Sequence, residues 1–440
     1  MDALVDFQKF HHALKEIQST QVNGKVIQVV GTVIEGLGPA SSVGALCDIY
    51  PQGSQSRVVA EVVGFRDHRI LLMPLGDVRG IRPGSRIVAR HQKATIRVGD
   101  PLLGRVIDGL GNPIDDGEIV RTREEYPIYA PPINPLQRRR IEEPLDLGIR
   151  AINGLLTCGK GQRVGILAGS GVGKSTVLGM IARYTNADIN VIALIGERGR
   201  EVRDFIEKNL GPEGLRRSVV VAATSDQPPL IRMRGAFIAT AIAEYFRSRG
   251  KHVLLMMDSV TRFAMALREI GLAIGEPPTT KGYTPSVFAL LPKLLERAGT
   301  SSTEGSITGL YTVLVEGDDL NEPISDTVRS ILDGHIVLSR HQANQNQYPA
   351  IDILGSISRL MIDIVTPIQR ELANRLRGVL ATYQGAVDLV NIGAYVRGSN
   401  DRIDYALKMI ESVNRYLRQA IDERVDLKTS QAQLEEIFKA

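Results

Sequence analysis

Residues 163–184 read RVGILAGSGVGKSTVLGMIARY, and the order of features within them decides the fold. The apolar run RVGILA passes directly into AGSGVGKST (168–176). A helical period then follows, with Val177, Met180, Ile181 and Tyr184 on one face. A buried strand, a glycine-rich turn and an amphipathic helix in this order form a cradle for phosphate. Gly169, Gly171 and Gly173 let the backbone turn with its N–H groups inward. The helix that follows points its N-terminus at the bound anion. Ala168, Gly169, Ser170, Gly171, Val172, Gly173, Lys174, Ser175 and Thr176 are therefore the expected phosphate-binding residues. Within them, Lys174 supplies a mobile positive charge and Ser175 a hydroxyl for Mg²⁺. Ala168 stands where GxxxxGK[ST] begins with glycine, a change that a small residue tolerates at negative φ.

Further apolar runs extend the pattern on the C-terminal side. INVIALI (189–195), SVVVAA (218–223), HVLLMMD (252–258) and SITGLYTVLV (306–315) alternate with helical segments, as in a parallel sheet covered on both faces. This predicts a doubly wound α/β domain with its ligand crevice at the C-terminal ends of the strands. Asp258 ends one of those strands, and its expected role is to hold Mg²⁺ through water. Glu197 follows another strand at once, in IGERGREV, and is the candidate base for polarising an attacking water. Arg198 and Arg200 stand beside it to orient it or hold a nucleotide. Arg262, four residues past Asp258, is placed to reach the phosphates or fix Glu197.

The flanks differ in composition. Residues 1–20 place Phe7, Phe10, Leu14 and Ile17 on one helical face, which predicts a short helix docked on its own domain or on a partner. Four short runs, KVIQVVGTVI (25–34), SRVVAEVVGF (56–65), HRILLMPL (68–75) and SRIVAR (85–90), predict a small sandwich or closed barrel. The Pro-rich segment 124–148 reads as a connector whose Arg138, Arg139 and Arg140 are solvated or paired with Glu142 and Glu143. The last 75 residues or so become helical, with Ala406, Met409, Ile410, Val413, Leu417 and Ile421 in helical period.

Composition narrows the function. The chain has 440 residues, or about three domains at roughly 150 residues each. A net charge of +4, with 5% aromatic residues and no Trp, argues against a nucleic-acid-coating surface. Cys47 and Cys158 are the only cysteines and lack CxxC spacing, so neither a disulfide framework nor a zinc site is expected. There is no run of 18 apolar residues to span a membrane, and MDALVDFQKF is not a signal peptide. The expected compartment is the cytoplasm.

Beyond the phosphate loop, GDPLLGRVIDGLGNPIDD (99–116), GERGREV (196–202), LLMMDSVTR (254–262), EGDDLNEPISDTVRSILDGHIVLSR (316–340), YPAIDILGSISR (348–359) and DLVNIGAYVRGSNDRID (388–404) resemble the type III secretion ATPases. These are relatives of the rotary ATP synthase catalytic subunit, and the resemblance covers nearly the whole chain. Gly169-Ser170 is similar to the flagellar export branch, whereas the injectisome branch often carries Ala-Pro there. The resemblance implies an α/β, RecA-like P-loop core, here spanning 96–365, with a β-barrel over 21–95 and a C-terminal helical domain over 366–440. It implies a homohexameric ring that hydrolyses Mg-ATP to energise export, unfolding or chaperone release of flagellar proteins. Lys174, Ser175, Glu197 and Asp258 keep the roles given above. Tyr348 matches the adenine-stacking residue, and Arg359 the arginine finger donated to a neighbour's site. Asp318 to Pro323 matches the loop facing a central stalk protein. Residues 1–20 match the site for a dimeric regulator. The same likeness implies contact with an export gate, chaperones and exported substrates, and peripheral association with the inner-membrane export apparatus. Where the family usually has an apolar residue and a glycine before that tyrosine, this chain has Gln342 and Asn346; asparagine tolerates φ > 0. The alternatives are a virulence injectisome ATPase and a rotary synthase catalytic subunit. The latter would carry an acidic DELSEED stretch, which GAYVRGSNDRIDYA lacks.

Overall fold

Short apolar strands form the first sheet, with several of them buried nearly end to end. The computed structural model describes residues 22–439 apart from 54–55, 91–93 and 123, so the helix expected over 1–20 lies outside the described residues. Strands β1 (Asn23–Val30), β2 (Val33–Leu37), β3 (Leu46–Tyr50), β4 (Val58–Arg66), β5 (Arg69–Pro74) and β6 (Arg86–Ala89) form a closed barrel in the order β1-β2-β5-β4-β3-β6. Val26, Ile34, Cys47, Ile49, Val62, Ile70, Leu72 and Ile87 fill its interior. Closure leaves no open edge to pair with another chain. The run 25–34 is two strands, because Gly31 turns the chain at φ 57°. Strand β3 had no clear signal in the sequence, since its centre is an aspartate. Asp48 is nonetheless buried, with Arg90 Nε 3.0 Å from both of its carboxylate oxygens.

Residues 95–272 and those from 276 onward form a second unit. Strands β7 (Thr95–Val98) and β9 (Glu124–Pro127) pair as a ribbon, while β8 (Val106–Asp108) joins the main sheet. A second small ribbon pairs β10 (Pro144–Leu145) with β11 (Cys158–Gly159). The main sheet uses β12 (Arg163–Ala168), β13 (Ile189–Ile195), β14 (Ser218–Ala223), β15 (His252–Asp258), β16 (Gly299–Thr300), β17 (Ser306–Leu314), β18 (Gly334–Leu338) and β19 (Ile351–Ser358). Its order is β19-β18-β12-β17-β15-β13-β14-β8. It is parallel from β18 to β8, with β19 antiparallel on β18 and short β16 antiparallel on β17. Every residue of β13 and β14 is buried, which explains their unbroken apolar runs. Because β13 lies beyond β17 and β15 from β12, the chain reverses direction across the sheet after β12. That reversal opens a crevice at the C-terminal edge.

The Pro-rich connector is fastened at several points, while Arg139 and Arg140 stay exposed. Arg138 Nη1 donates to Ala298 O at 2.8 Å, and Lys160 pairs with Glu143 at 2.6 Å. Arg297, only 1% exposed, donates to Ile128 O at 2.7 Å and grips Glu244 at 2.6 and 3.0 Å. Helices Pro367–Asn391, Asp401–Leu417 and Leu427–Lys439 then close over the sheet. Leu376, Val413 and Leu434 belong to the same buried cluster as Leu155 and Ile181. Ala406, Met409, Ile410, Val413 and Leu417 are buried, as their period requires. Ile421 lies past the helix end and is 56% exposed. Cys47 and Cys158 are both buried and unbridged.

Candidate active site

The turn after β12 opens onto a cleft of about 970 Å³. Ala168 completes the strand, fully buried, and its carbonyl accepts from Val315 N at 3.0 Å, so no glycine is required there. Gly171 and Gly173 take φ of 78° and 91°, in the left-handed region where a side chain is strained. Between them Val172, 1% exposed, anchors the loop in the core. Helix Lys174–Tyr184 starts at Gly173, and its first residues, Lys174, Ser175 and Thr176, line the cleft with Gly169 and Ser170.

Lys174 joins two strand ends. Its Nζ contacts Asp258 Oδ1 and lies 3.4 Å from Glu197 Oε1. Asp258 is 3% exposed and accepts a second hydrogen bond, from Thr312 Oγ1 at 2.7 Å. Burial works against the Lys174 charge, but the carboxylates of Asp258 and Glu197 outweigh it and hold the ammonium above the ordinary lysine range. Glu197 behaves oppositely. Burial, then the Asp258 charge, push its carboxyl up to about 7, against the pull of Lys174. Glu201 is held below the carboxylate range, first by the hydrogen bond that Glu197 donates to it. A carboxyl balanced near neutrality beside a phosphate cradle suits general-base chemistry.

The arginines differ from one another. Arg262 packs its stem on Gly196, where a Cβ would lie 2.7 Å from Arg262 Cβ. Its Nε is buried with no hydrogen-bond partner among the described residues, so a cation faces the cleft ready for an anion. Arg198 also lines the cleft but pairs with Glu201 at 3.2 Å rather than with Glu197. Arg200 pairs with Asp204 at 3.6 Å and is largely exposed. Arg340, which the sequence reading did not single out, lines the cleft and pairs with Asp318 at 3.3 Å.

Tyr348 is 43% exposed, with its ring against the start of the helix: a Cβ on Gly173 would lie 3.7 Å from Tyr348 Cε1. Its carbonyl accepts from Gln419 N at 3.0 Å, which ties it to the C-terminal helices. Asn346 takes φ 54°, so the turn leading to Tyr348 forms without glycine. Arg359 follows β19, exposed, with its Nη2 3.4 Å from Arg329 O, and is not among the residues lining this chain's own cleft. Among the described residues, no group of three or more His, Cys, Asp or Glu can hold a metal. The Ser175 hydroxyl and Asp258 carboxylate fit Mg²⁺ when phosphate oxygens and water complete its shell.

Three family models cover most of the chain. They are the ATP synthase alpha/beta family β-barrel domain over residues 20–90, its nucleotide-binding domain over 148–358, and the T3SS EscN ATPase C-terminal domain over 365–436. The flagellum-specific ATP synthase of Bacillus subtilis is 57% identical over 93% of this chain and 94% of its own. The chain belongs to the type III secretion ATPase family. The assembled ATPase EscN from enteropathogenic E. coli superposes with a TM-score of 0.89 at 47% identity, covering 94% of this chain and 99% of that one. EscN in complex with its central stalk EscO gives 0.87 at 46%, with the same coverage. Family membership accounts for the order of barrel, nucleotide-binding sheet and terminal helices.

Proposed function

We propose that this chain hydrolyses Mg-ATP in a homohexameric ring and so energises export, unfolding or chaperone release of flagellar proteins through the type III export apparatus. The observation that carries the reading is Lys174 held between Glu197 and Asp258 at the mouth of the phosphate loop. Loop amides and Lys174 hold the phosphates, and Tyr348 stacks on the adenine. Mg²⁺, held by Ser175 and through water by Asp258, would offset charge on the phosphate oxygens. Glu197 takes a proton from the attacking water as the new bond to the terminal phosphorus forms. The bond to the bridging oxygen breaks, leaving ADP and phosphate. Arg262 and Arg198 balance charge from this chain, and Arg359 serves the neighbouring copy. An arginine supplied in trans is worth about 10³–10⁵ in rate.

The EscN complex with its central stalk supports a stalk protein as a partner, and its contact is assigned to Asp318–Pro323. A dimeric regulator is assigned to residues 1–20, and the export gate, chaperones and exported substrates complete the partners. Among the described residues no helix is long and apolar enough to cross a membrane, which fits a cytoplasmic chain held peripherally at the inner-membrane export apparatus. The flagellar assignment predicts that the tagged chain purifies from its own cells with flagellar export proteins; recovery of virulence secretion proteins or synthase stator subunits instead would contradict it. The catalytic assignment is tested with Glu197→Gln. Turnover should fall by about 10²–10⁴ while ATP binding persists. Full turnover in this variant would remove Glu197 as the base.

A further inference from the structure

Besides Lys174, Arg198 and Arg262, the cleft is lined by Arg340. Arg340 follows β18, whose Leu338 pairs in parallel register with Ala168, so it emerges beside the phosphate loop. Its Nε lies 3.3 Å from Asp318 Oδ2, and both side chains are half-exposed. The pair sits on the loop's first glycine: a Cβ at Gly169 would lie 2.5 Å from Asp318 Oδ1 and 2.9 Å from Arg340 Nη2. Arg340, Gly317 and Glu322 line the same cleft as Lys174 and Ser175. Asp318 is held at φ 59°, directly after Gly317 at φ 63°, in the left-handed region that aspartate tolerates better than most side chains.

We infer that Arg340 is shared between Asp318 and the terminal phosphate of the nucleotide, so that nucleotide binding releases the loop that begins at Gly317. An exposed carboxylate–guanidinium pair contributes little and is readily exchanged. Phosphate offers the guanidinium a stronger, bidentate partner. Once Arg340 turns to phosphate, Asp318 loses the partner that holds it over Gly169. The loop then moves away from Gly169. Arg340 is thus a phosphate-binding residue and Asp318 its competitor in the empty site. The inference rests on reading the cleft as an ATP site.

The test is a two-residue cycle read by binding of a non-hydrolysable ATP analogue with Mg²⁺. Arg340→Gln should weaken binding at least 10-fold. Asp318→Asn keeps a side chain that tolerates left-handed φ but removes the competing charge, and should tighten binding about 3- to 10-fold. The double variant should behave as Arg340→Gln alone. In the wild type, amides of 317–322 should exchange faster with the analogue bound, and in Arg340→Gln they should not respond. Weaker binding in both single variants, or an additive double variant, would reduce the pair to a structural clamp and overturn the inference. A wild type that binds no analogue would remove the ATP-site reading and this inference with it.

Discussion

Glu197 carries opposite demands in the empty and the working site. Buried beside Asp258, its carboxyl titrates near 7, so in the free protein it is largely protonated below that pH. A base must be ionised, so kcat/KM should rise with pH through about 7 and level above it. A profile flat between pH 6 and 8 would contradict this. The stability consequence has a definite sign. A carboxyl whose folded pKa exceeds its unfolded 4.5 binds its proton more tightly when folded. Its contribution is full below 4.5 and lost as pH rises through about 7. The nucleotide-free protein should therefore lose about 1–3 kcal/mol between pH 5 and 8 that Glu197→Gln retains, measured by denaturant titration. At this scale the sequence was legible wherever chemistry follows local order: the glycines, Lys174, Ser175, and the carboxylates after apolar runs. Thr312 was not, because only the parallel register that pairs Met257 with Tyr311 brings its hydroxyl to Asp258. Arg340 was hidden for the same reason, its partner Asp318 being 22 positions away.

Elements are fixed by where their polar groups end. Strand β3 escaped detection because Asp48 interrupts its apolar run, yet Arg90 and Arg57 satisfy that carboxylate and let it stay buried. The connector after β9 reads as Pro-rich and solvated or paired with its own Glu142 and Glu143, but Arg297, held by Glu244, also fastens it at Ile128 from inside the core. Neither partner is near the connector in sequence, so composition alone points to solvent. Removing Arg297 leaves buried Glu244 with Arg247, 3.8 Å away, as its remaining ion pair among the described residues, and takes the donor from Ile128 O. Arg297→Ala should therefore cost about 3–5 kcal/mol of stability. Arg249→Ala, which removes a half-exposed partner of Glu124 on the same connector, should leave the melting temperature nearly unchanged. Equal losses from both would show that burial does not govern the fastening. The helical period read from Ala406 onward coincides with the helix Asp401–Leu417. It ran one turn too far only at Ile421, where the chain has already turned back towards Arg150.

One chain brings its phosphate loop, Glu197 and Asp258 together, while Arg359 lies exposed and outside its own cleft. Sequence order sufficed for the α/β class, since a strand, glycine turn and helix admit few alternatives. What joins two copies is not written in any local pattern, because Arg359 has its proposed partner on another chain. The proposed ring predicts specific activity that rises with protein concentration. Its most direct test mixes two inactive variants, Glu197→Gln and Arg359→Ala. An Arg359→Ala chain keeps its own base, and a Glu197→Gln neighbour can lend it the missing arginine. Mixing should restore part of the ATPase activity that neither variant shows alone. Strictly additive, near-zero rates at every mixing ratio and concentration would contradict a site completed between copies.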